Sequence, residues 1–348
     1  VLPDLSGLRL LIVGNWPPPA GGVSVHVSAL RDAARKSGAA ATVLDIGTGQ
    51  NELPGVKASG GEVAFAARLA RQLASSDLVH VHTSGANVKS WTLMAVAGVA
   101  SRAFHVPAIV TLHSGHCPRY VTTTARALVA RGTLSAYERV VCVSDEISRT
   151  LSRVGAAERR HLIAPAFGLE GLSTAPLSAN IDAFVRRHHP ILSAMLAPAR
   201  EYGAAELLGA FARLRKGSPE AGLVVFGPGT EKMDGAAILA LGEIERARAL
   251  GVMKASSVFV RPTLVDGDAV SVREALALRT RVVATRVGTR PSGVVLCAPE
   301  DPIDLARALD EALRHPSPVT TPVQDGIEAV LHLYASLLGA PNRMPRAA

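Results

Sequence analysis

The sequence predicts an α/β protein made of two parallel-sheet domains, and three observations carry that prediction. Short aliphatic and β-branched runs recur between helix-length segments, without the alternation of a half-exposed strand; this is the pattern of strands covered on both faces. The pattern lapses once, over a Gly-, Pro- and Ser-rich stretch near residues 168–188, and then restarts. The chain has 348 residues, 48% of them hydrophobic and 19% charged, which is enough for two cores and too apolar for wholesale disorder.

In chain order, "LRLLIVG" (8–14) reads as a buried strand. A loop, "NWPPPAGG", follows it, and "GVSVHVSALRDAARKSG" reads as a helix ending at Gly38. "ATVLDIG", "DLVHVHTSG", "PAIVTLHSG", "RVVCVSD" and "HLIAPAF" read as further strands, with "EVAFAARLARQLASS" and "NVKSWTLMAVAGVASRAF" among the helices between them. After the lapse, "PILSAMLA" is a strand. "GAAELLGAFARLRK" is a helix with Leu207, Leu208, Phe211 and Leu214 along one stripe. "GLVVFG", "AILALG", "SSVFVRP", "RVVAT" and "GVVLCA" continue the second set of strands, "PIDLARALDEALRH" is a helix, and "IEAVLHLYASLLG" is an amphipathic tail. The expected division is residues 1–175, residues 186–322 and a C-terminal helix at 323–340. Two such domains are expected to face a central cleft, with the ligand near the carboxyl ends of the strands.

Lys and Arg number 37 against 29 Asp and Glu, a net charge of +8. That balance suits an anionic partner such as a nucleotide or acidic lipid, and equally reflects a compositional preference for Arg. Nucleic acid is not expected, because no basic run is present and aromatic residues make up only 4%. Cys117, Cys142 and Cys297 lie far apart with no CxxC spacing, so reduced thiols and no metal site or disulfide are expected. The start shows no signal-peptide pattern, and the longest apolar stretch, residues 91–101, is shorter than the roughly 20 residues of a membrane span. A cytoplasmic protein is therefore expected.

The most informative stretch is "RPTLVDGDAVSVREALAL", residues 261–278. It reads as a strand end, a turn and a helix, with Gly267 freeing the turn and Asp268 as N-cap. A helix N-terminus is a seat for phosphate, and flanking carboxylates, here Asp266 and Glu274, accept hydrogen bonds from sugar hydroxyls. On these residues alone, a capped surface helix with a solvated Glu274 explains the pattern better than a nucleotide-sugar site does.

The stretch resembles the E-x7-E signature of retaining family-4 glycosyltransferases, which have the GT-B fold. Asp266 stands at the first acid, Gly267 at its glycine, Glu274 at the second acid, and "VVAT" (282–285) closes the motif. The resemblance implies that Asp266 contacts the donor sugar and Glu274 the ribose. It further implies that the backbone of Asp268, Ala269 and Val270 lines the hexose and phosphate. Gly21 and Gly22 in "NWPPPAGGVSVHV" resemble the paired glycines of the family's first loop, which approach the donor diphosphate. His113 in "IVTLHSG" stands at the family's pocket histidine, and "LVVFGPGTE" resembles a nucleotide-side turn containing Gly229. The likeness spans nearly the whole chain.

The chain also departs from the family. Its first acid is Asp rather than Glu, and Arg279 and Arg281 replace a Gly and a Pro. "MLAPAREYG" puts Ala197 and Tyr202 where the family's Arg and Lys grip the diphosphate. Arg200 is the nearest substitute, with Arg261, Arg286 and Arg290 further off. The resemblance implies a metal-independent transferase needing no cofactor, in which a sugar passes from a nucleotide-sugar donor to a glycan or lipid-linked acceptor in surface polysaccharide or glycolipid assembly. A non-catalytic nucleotide-sugar-binding subunit and a sugar-nucleotide epimerase of similar fold stand as alternatives. His80 and His82 share one strand face and read either as lining the cleft or, the reading favoured, as satisfying loop carbonyls, with His26 uninformative. Residues 88–105, apolar with Lys89, Trp91 and Arg102 at the ends, read either as a helix covering the sheet, which periodicity favours, or as a peripheral contact with the inner face of a membrane.

Overall fold

The computed structural model describes residues 2–18, 21–47, 52–156, 161–165, 167–168, 172–233, 235, 237–315 and 325–339. Of the features expected above, residues 19–20 of the first loop, 169–171 of the linker, and 323–324 and 340 of the C-terminal segment lie outside this set. The chain divides into two units. Unit 1 is residues 1–170 with 324–348, and unit 2 is residues 171–323. In both, the strands are parallel and most connections pass through helices, the GT-B class of architecture expected from the sequence.

Unit 1 contains β1 (Arg9–Gly14), α1 (Gly22–Lys36), β2 (Ala40–Asp45), β3 (Val56–Ala58), α2 (Glu62–Leu73), β4 (Leu78–Thr83) and α3 (Val88–Ala103). These are followed by β5 (Ala108–Leu112), α4 (Cys117–Tyr120), α5 (Thr124–Leu134), β6 (Arg139–Cys142), α6 (Asp145–Arg153) and β7 (His161–Ile163). Its seven strands run in the order β3-β2-β1-β4-β5-β6-β7. The order reverses between β1 and β4, and ligands of open parallel sheets collect beyond the carboxyl ends of strands at such a reversal. Gly14 ends β1 there; a methyl group on it would lie 2.8 Å from Val27 Cγ2 and 3.2 Å from His82 Cβ, so α1 and β4 close tightly over this strand end.

Unit 2 opens with α7 (Ala179–Arg187), β8 (Ile191–Met195), α8 (Ala204–Gly217), β9 (Gly222–Phe226) and β10 (Ile238–Ala240). It continues with α9 (Arg246–Ala255), β11 (Val258–Arg261), α10 (Val270–Ala277), β12 (Arg281–Thr285), β13 (Val294–Cys297) and α11 (Pro302–Arg314). The six strands run β10-β9-β8-β11-β12-β13, so the reversal falls between β8 and β11. Neighbouring residues of one strand feed opposite cores: Leu192 and Ala194 join one, Ile191 the other, and Val258 and Val260 lie opposite Phe259. Both faces are therefore buried, which is why these strands read as continuous apolar runs. The helix α7 is a correction: residues 179–187 fall in the stretch read as unpatterned, and its short amphipathic face sets Ile181 into the second core.

The helix α12 (Gly326–Leu338) belongs to unit 1, where Ile327, Val330, Leu331 and Tyr334 pack with Leu30, Ala34 and Ile12. Cys117, Cys142 and Cys297 are all buried and free.

Candidate active site

In unit 2 the loops after β8, β11 and β12 meet. Gly203, after β8, has φ 72, and a Cβ there would strike the carbonyl of Pro262, which follows β11. Leu264 N donates to Glu201 O at 2.7 Å across the same junction. Gly288, after β12, has φ 64, and a Cβ on it would collide with the carbonyls of Asp266 and Gly267. Thr289 N donates to Gly267 O at 2.7 Å. Only glycine meets the two demands of left-handed backbone and close approach, so these two positions seat the Asp266 turn between its neighbours.

Asp266 sits at the carboxyl end of β11 with its side chain 11% exposed. Its Oδ2 accepts from Arg261 Nε at 3.1 Å, Thr263 Oγ1 at 3.0 Å and Arg290 Nη2 at 3.1 Å. Burial pushes its pKa upward, but the charges of Arg261 and Arg290 and the bonds from Arg261 and Thr263 outweigh burial and hold it below the usual carboxylate value. All three contacts fall on Oδ2 and none on Oδ1.

Glu274, on α10, is buried and accepts from Arg246 Nε, at the start of α9, at 2.8 Å. Burial raises its pKa, against the pull of Arg246. The solvated-glutamate reading is thereby excluded. Asp268 is a correction: the N-cap of α10 is Ala269, with no side-chain capping bond. The Asp268 carboxylate instead accepts from Arg273 Nε at 2.7 and 2.9 Å, with both side chains buried. An unpaired charge in either place would be costly, so the pair acts as a brace inside the turn. Val270 opens α10, and Ala269 and Gly267 complete the turn.

Arg200 is paired with Glu206, on α8. Both its terminal nitrogens are engaged by Glu206, at 3.0 and 2.6 Å. Tyr202, where the family has a lysine, lies beneath Arg261, whose guanidinium carbon is 5.5 Å from the ring centre. Gly229 forms a tight turn at φ 78 against Pro198, after β8.

In unit 1, Gly21 caps α1 in extended backbone, and a Cβ on it would meet only Ser24 Oγ at 4.0 Å. Packing does not demand glycine there. Gly22 is the first residue of the helix. His113, just past β5, joins a cluster that was not foreseen. His82 Nδ1 is 3.1 Å from His113 Nε2, and the His26 ring centre is 5.3 Å from each of those two rings. His80 lies 4.1 Å from His82, centre to centre. His80 does not serve loop carbonyls: its nitrogens pair with Tyr334 Oη at 2.6 Å and Thr111 Oγ1 at 2.7 Å. Burial, reinforced by the other rings of the cluster, drives the pKa of His80, His82 and His113 well below the ordinary histidine value, so these rings are neutral at physiological pH. The period-two spacing of His80 and His82 showed the shared face; only the fold brings His26 and His113 to it. Among the described residues, no group of three or more His, Cys, Asp or Glu side chains is placed to hold a metal ion.

Two family models match the chain. Glycosyl transferases group 1 matches residues 191–315, and the glycosyl transferase 4-like domain matches residues 19–166. Among solved structures, the Anabaena protein HepE in complex with UDP-glucose has a TM-score of 0.68 at 14% identity, covering 94% of this chain and 95% of that one. Sucrose-phosphate synthase from Thermosynechococcus elongatus has a TM-score of 0.66 at 18% identity, covering 95% and 98%. A Listeria monocytogenes protein assigned as a UDP-N-acetylglucosamine 2-epimerase has a TM-score of 0.65 at 12% identity, covering 95% of each chain. At these identities the likeness is one of fold. No curated protein matches the chain.

Proposed function

We propose that this chain, which carries a group 1 glycosyltransferase domain in unit 2 and a glycosyltransferase 4-like domain in unit 1, moves a sugar from a nucleotide-sugar donor to a hydroxyl acceptor with retention of configuration. The observation that carries the reading is the pair Asp266 and Glu274. Glu274 is buried and the Asp266 side chain is 11% exposed, and arginines orient both carboxylates, around the turn that follows β11 beside the reversal of strand order. A buried carboxylate held on one edge by guanidinium groups is preorganised to accept a hydroxyl on the other, with no reorganisation on binding. Asp266 orients the donor sugar through Oδ1, and Glu274 holds the ribose. The leaving diphosphate develops negative charge, which the N-terminus of α10 and nearby arginines oppose without need of a metal. In same-face attack the departing phosphate takes the acceptor proton. His113, neutral and ordered by His82, polarises the acceptor side.

Complexes of HepE with UDP and UDP-glucose make UDP-sugars the first donors to try. Purified protein should release free sugar slowly from its donor. Glu274→Ala removes one charge-assisted acceptor worth about 1.5–3 kcal/mol, so hydrolysis should fall roughly ten- to more than a hundredfold. Tight donor binding without turnover would support a binding subunit instead, a reading favoured by Ala197 and Tyr202 at the expected cation positions. A donor returned with altered stereochemistry at C2 or C4 would support the epimerase.

The acceptor is assigned to surface polysaccharide or glycolipid assembly, and α3 favours a lipid-linked one. Trp91, Met94 and Ala97 face the interior, while Val88 and Val99 are 65% and 68% exposed, beside Lys89 and Arg102. From Leu78 to Tyr137 the chain has no Asp or Glu, whereas Lys89, Arg102, Arg119, Arg126 and Arg131 fall within it. Exposed valines beside basic residues suit an anionic bilayer. The protein should sediment with phosphatidylglycerol vesicles and less with phosphatidylcholine; Val99→Asp should release it, and equal binding by that variant would refute the contact. No helix among the described residues is long and apolar enough to cross a membrane.

A further inference from the structure

The reading above leaves the diphosphate without its usual cations, since Ala197 and Tyr202 occupy their places. The turn around Asp266 holds a charge surplus. Arg273 is matched by Asp268 and Arg246 by Glu274, but Arg261 and Arg290 share the single carboxylate of Asp266. The side chains of Arg261 and Arg290 are 9% and 4% exposed. Two buried guanidinium groups against one carboxylate leave one net positive charge that solvent does little to screen.

A second observation points to where that charge acts. Arg261 Nε is taken by Asp266, yet Nη1 is buried and finds no hydrogen-bond partner among the described residues. Leaving a donor of a charged group unsatisfied is costly, and such donors in native folds ordinarily have a use. Arg290 has a partner on every nitrogen, Nη1 donating to Thr289 O at 3.3 Å, but burial draws its pKa down and the nearby Arg261 adds to the fall, against the pull of Asp266 and Asp268. Arg290 is itself fixed by bonds from Nε to Thr285 O at 3.0 Å and from Nη2 to Thr263 Oγ1 at 3.2 Å. Tyr202, lying under Arg261, supports the guanidinium from its face.

We propose that Arg261 and Arg290 form an oxyanion seat at the carboxyl end of β11 that takes the donor's diphosphate, replacing cations elsewhere supplied by the loop after β8. Two forks held by one carboxylate present fixed donors, and phosphate is the oxyanion that accepts several at once. Asp266 then has two tasks, holding the cations in place and limiting how tightly the diphosphate product is retained. The proposal rests on the nucleotide-sugar reading of this site.

The test is titration calorimetry with inorganic pyrophosphate, UDP and uridine. Arg290→Gln and Arg261→Gln should each weaken pyrophosphate and UDP at least tenfold and leave uridine unchanged, and Arg213→Gln, on the outer face of α8, should change nothing. Arg290→Lys, which keeps the charge and loses the fork, should fall between. Asp266→Asn removes the competing carboxylate and should tighten pyrophosphate severalfold, a gain that misfolding cannot produce. Wild-type and Arg290→Gln proteins that bind pyrophosphate and UDP within twofold of one another would overturn the seat, as would unchanged affinity in Asp266→Asn. Arginine-dependent binding of pyrophosphate with no preference for UDP or other nucleotides would uphold the seat and remove the glycosyltransferase reading. Donor hydrolysis that survives unchanged in Arg290→Gln would do the reverse.

Discussion

Asp266 and Glu274 were legible as an acid pair through the resemblance to the E-x7-E motif, and their partners were not legible at all. Arg246 lies 28 residues before Glu274 and Arg290 lies 24 after Asp266, and no local rule joins positions so far apart. The error at Asp268 has the same origin: a short acidic residue before a helix is ordinarily a cap, and here a buried arginine five residues on outbids the backbone for it. The histidines show how burial sets charge. His80, His82 and His113 have folded-state pKa values well below 6.5, so as pH falls the unfolded chain takes up protons that the fold refuses. Stability from these rings is complete above about pH 6.5 and is lost below it, at up to about 1.4 kcal/mol per pH unit for each ring. Urea midpoints should therefore drop from pH 7.5 to 5.5, and His82→Asn should flatten the drop. Midpoints independent of pH over that range would contradict neutral burial.

At the scale of the element, α10 was legible and its ends were not. Its C-terminus is closed by Thr280 N donating to Ala275 O at 2.8 Å and Arg279 N donating to Leu276 O at 2.9 Å, with Arg279 at φ 61. That is a Schellman closure, which calls for a left-handed residue and hence usually for glycine. The family pattern has glycine at this place, so the departure noted in the sequence is a local strain, borne by an exposed side chain. Arg279→Gly should stabilise the protein by about 1 kcal/mol, read as a higher denaturation midpoint, with donor affinity unaltered. A loss of stability would mean that the arginine side chain holds something the closure needs.

For the molecule as a whole, the doubled parallel-sheet plan was legible because strands buried on both faces announce themselves as apolar runs, unbroken at residues 223–226 and 258–260 and interrupted at 191–195 only by Ser193. The α7 helix escaped because nine residues with a single fully buried side chain carry little periodic signal. The three buried thiols turn this plan into an instrument. Burial pushes Cys117 and Cys142, in unit 1, up to about 12, and Cys297, in unit 2, up to about 11. A thiol so placed reacts only when its surroundings open. In mild urea at pH 8, pulses of iodoacetamide should mark Cys117 and Cys142 on one clock and Cys297 on another, and UDP should slow only the second. Equal slowing at all three would refute the placement of the nucleotide in unit 2. The native chain thus carries in each half its own stopwatch, wound by nothing more than the depth at which a sulfur atom is set.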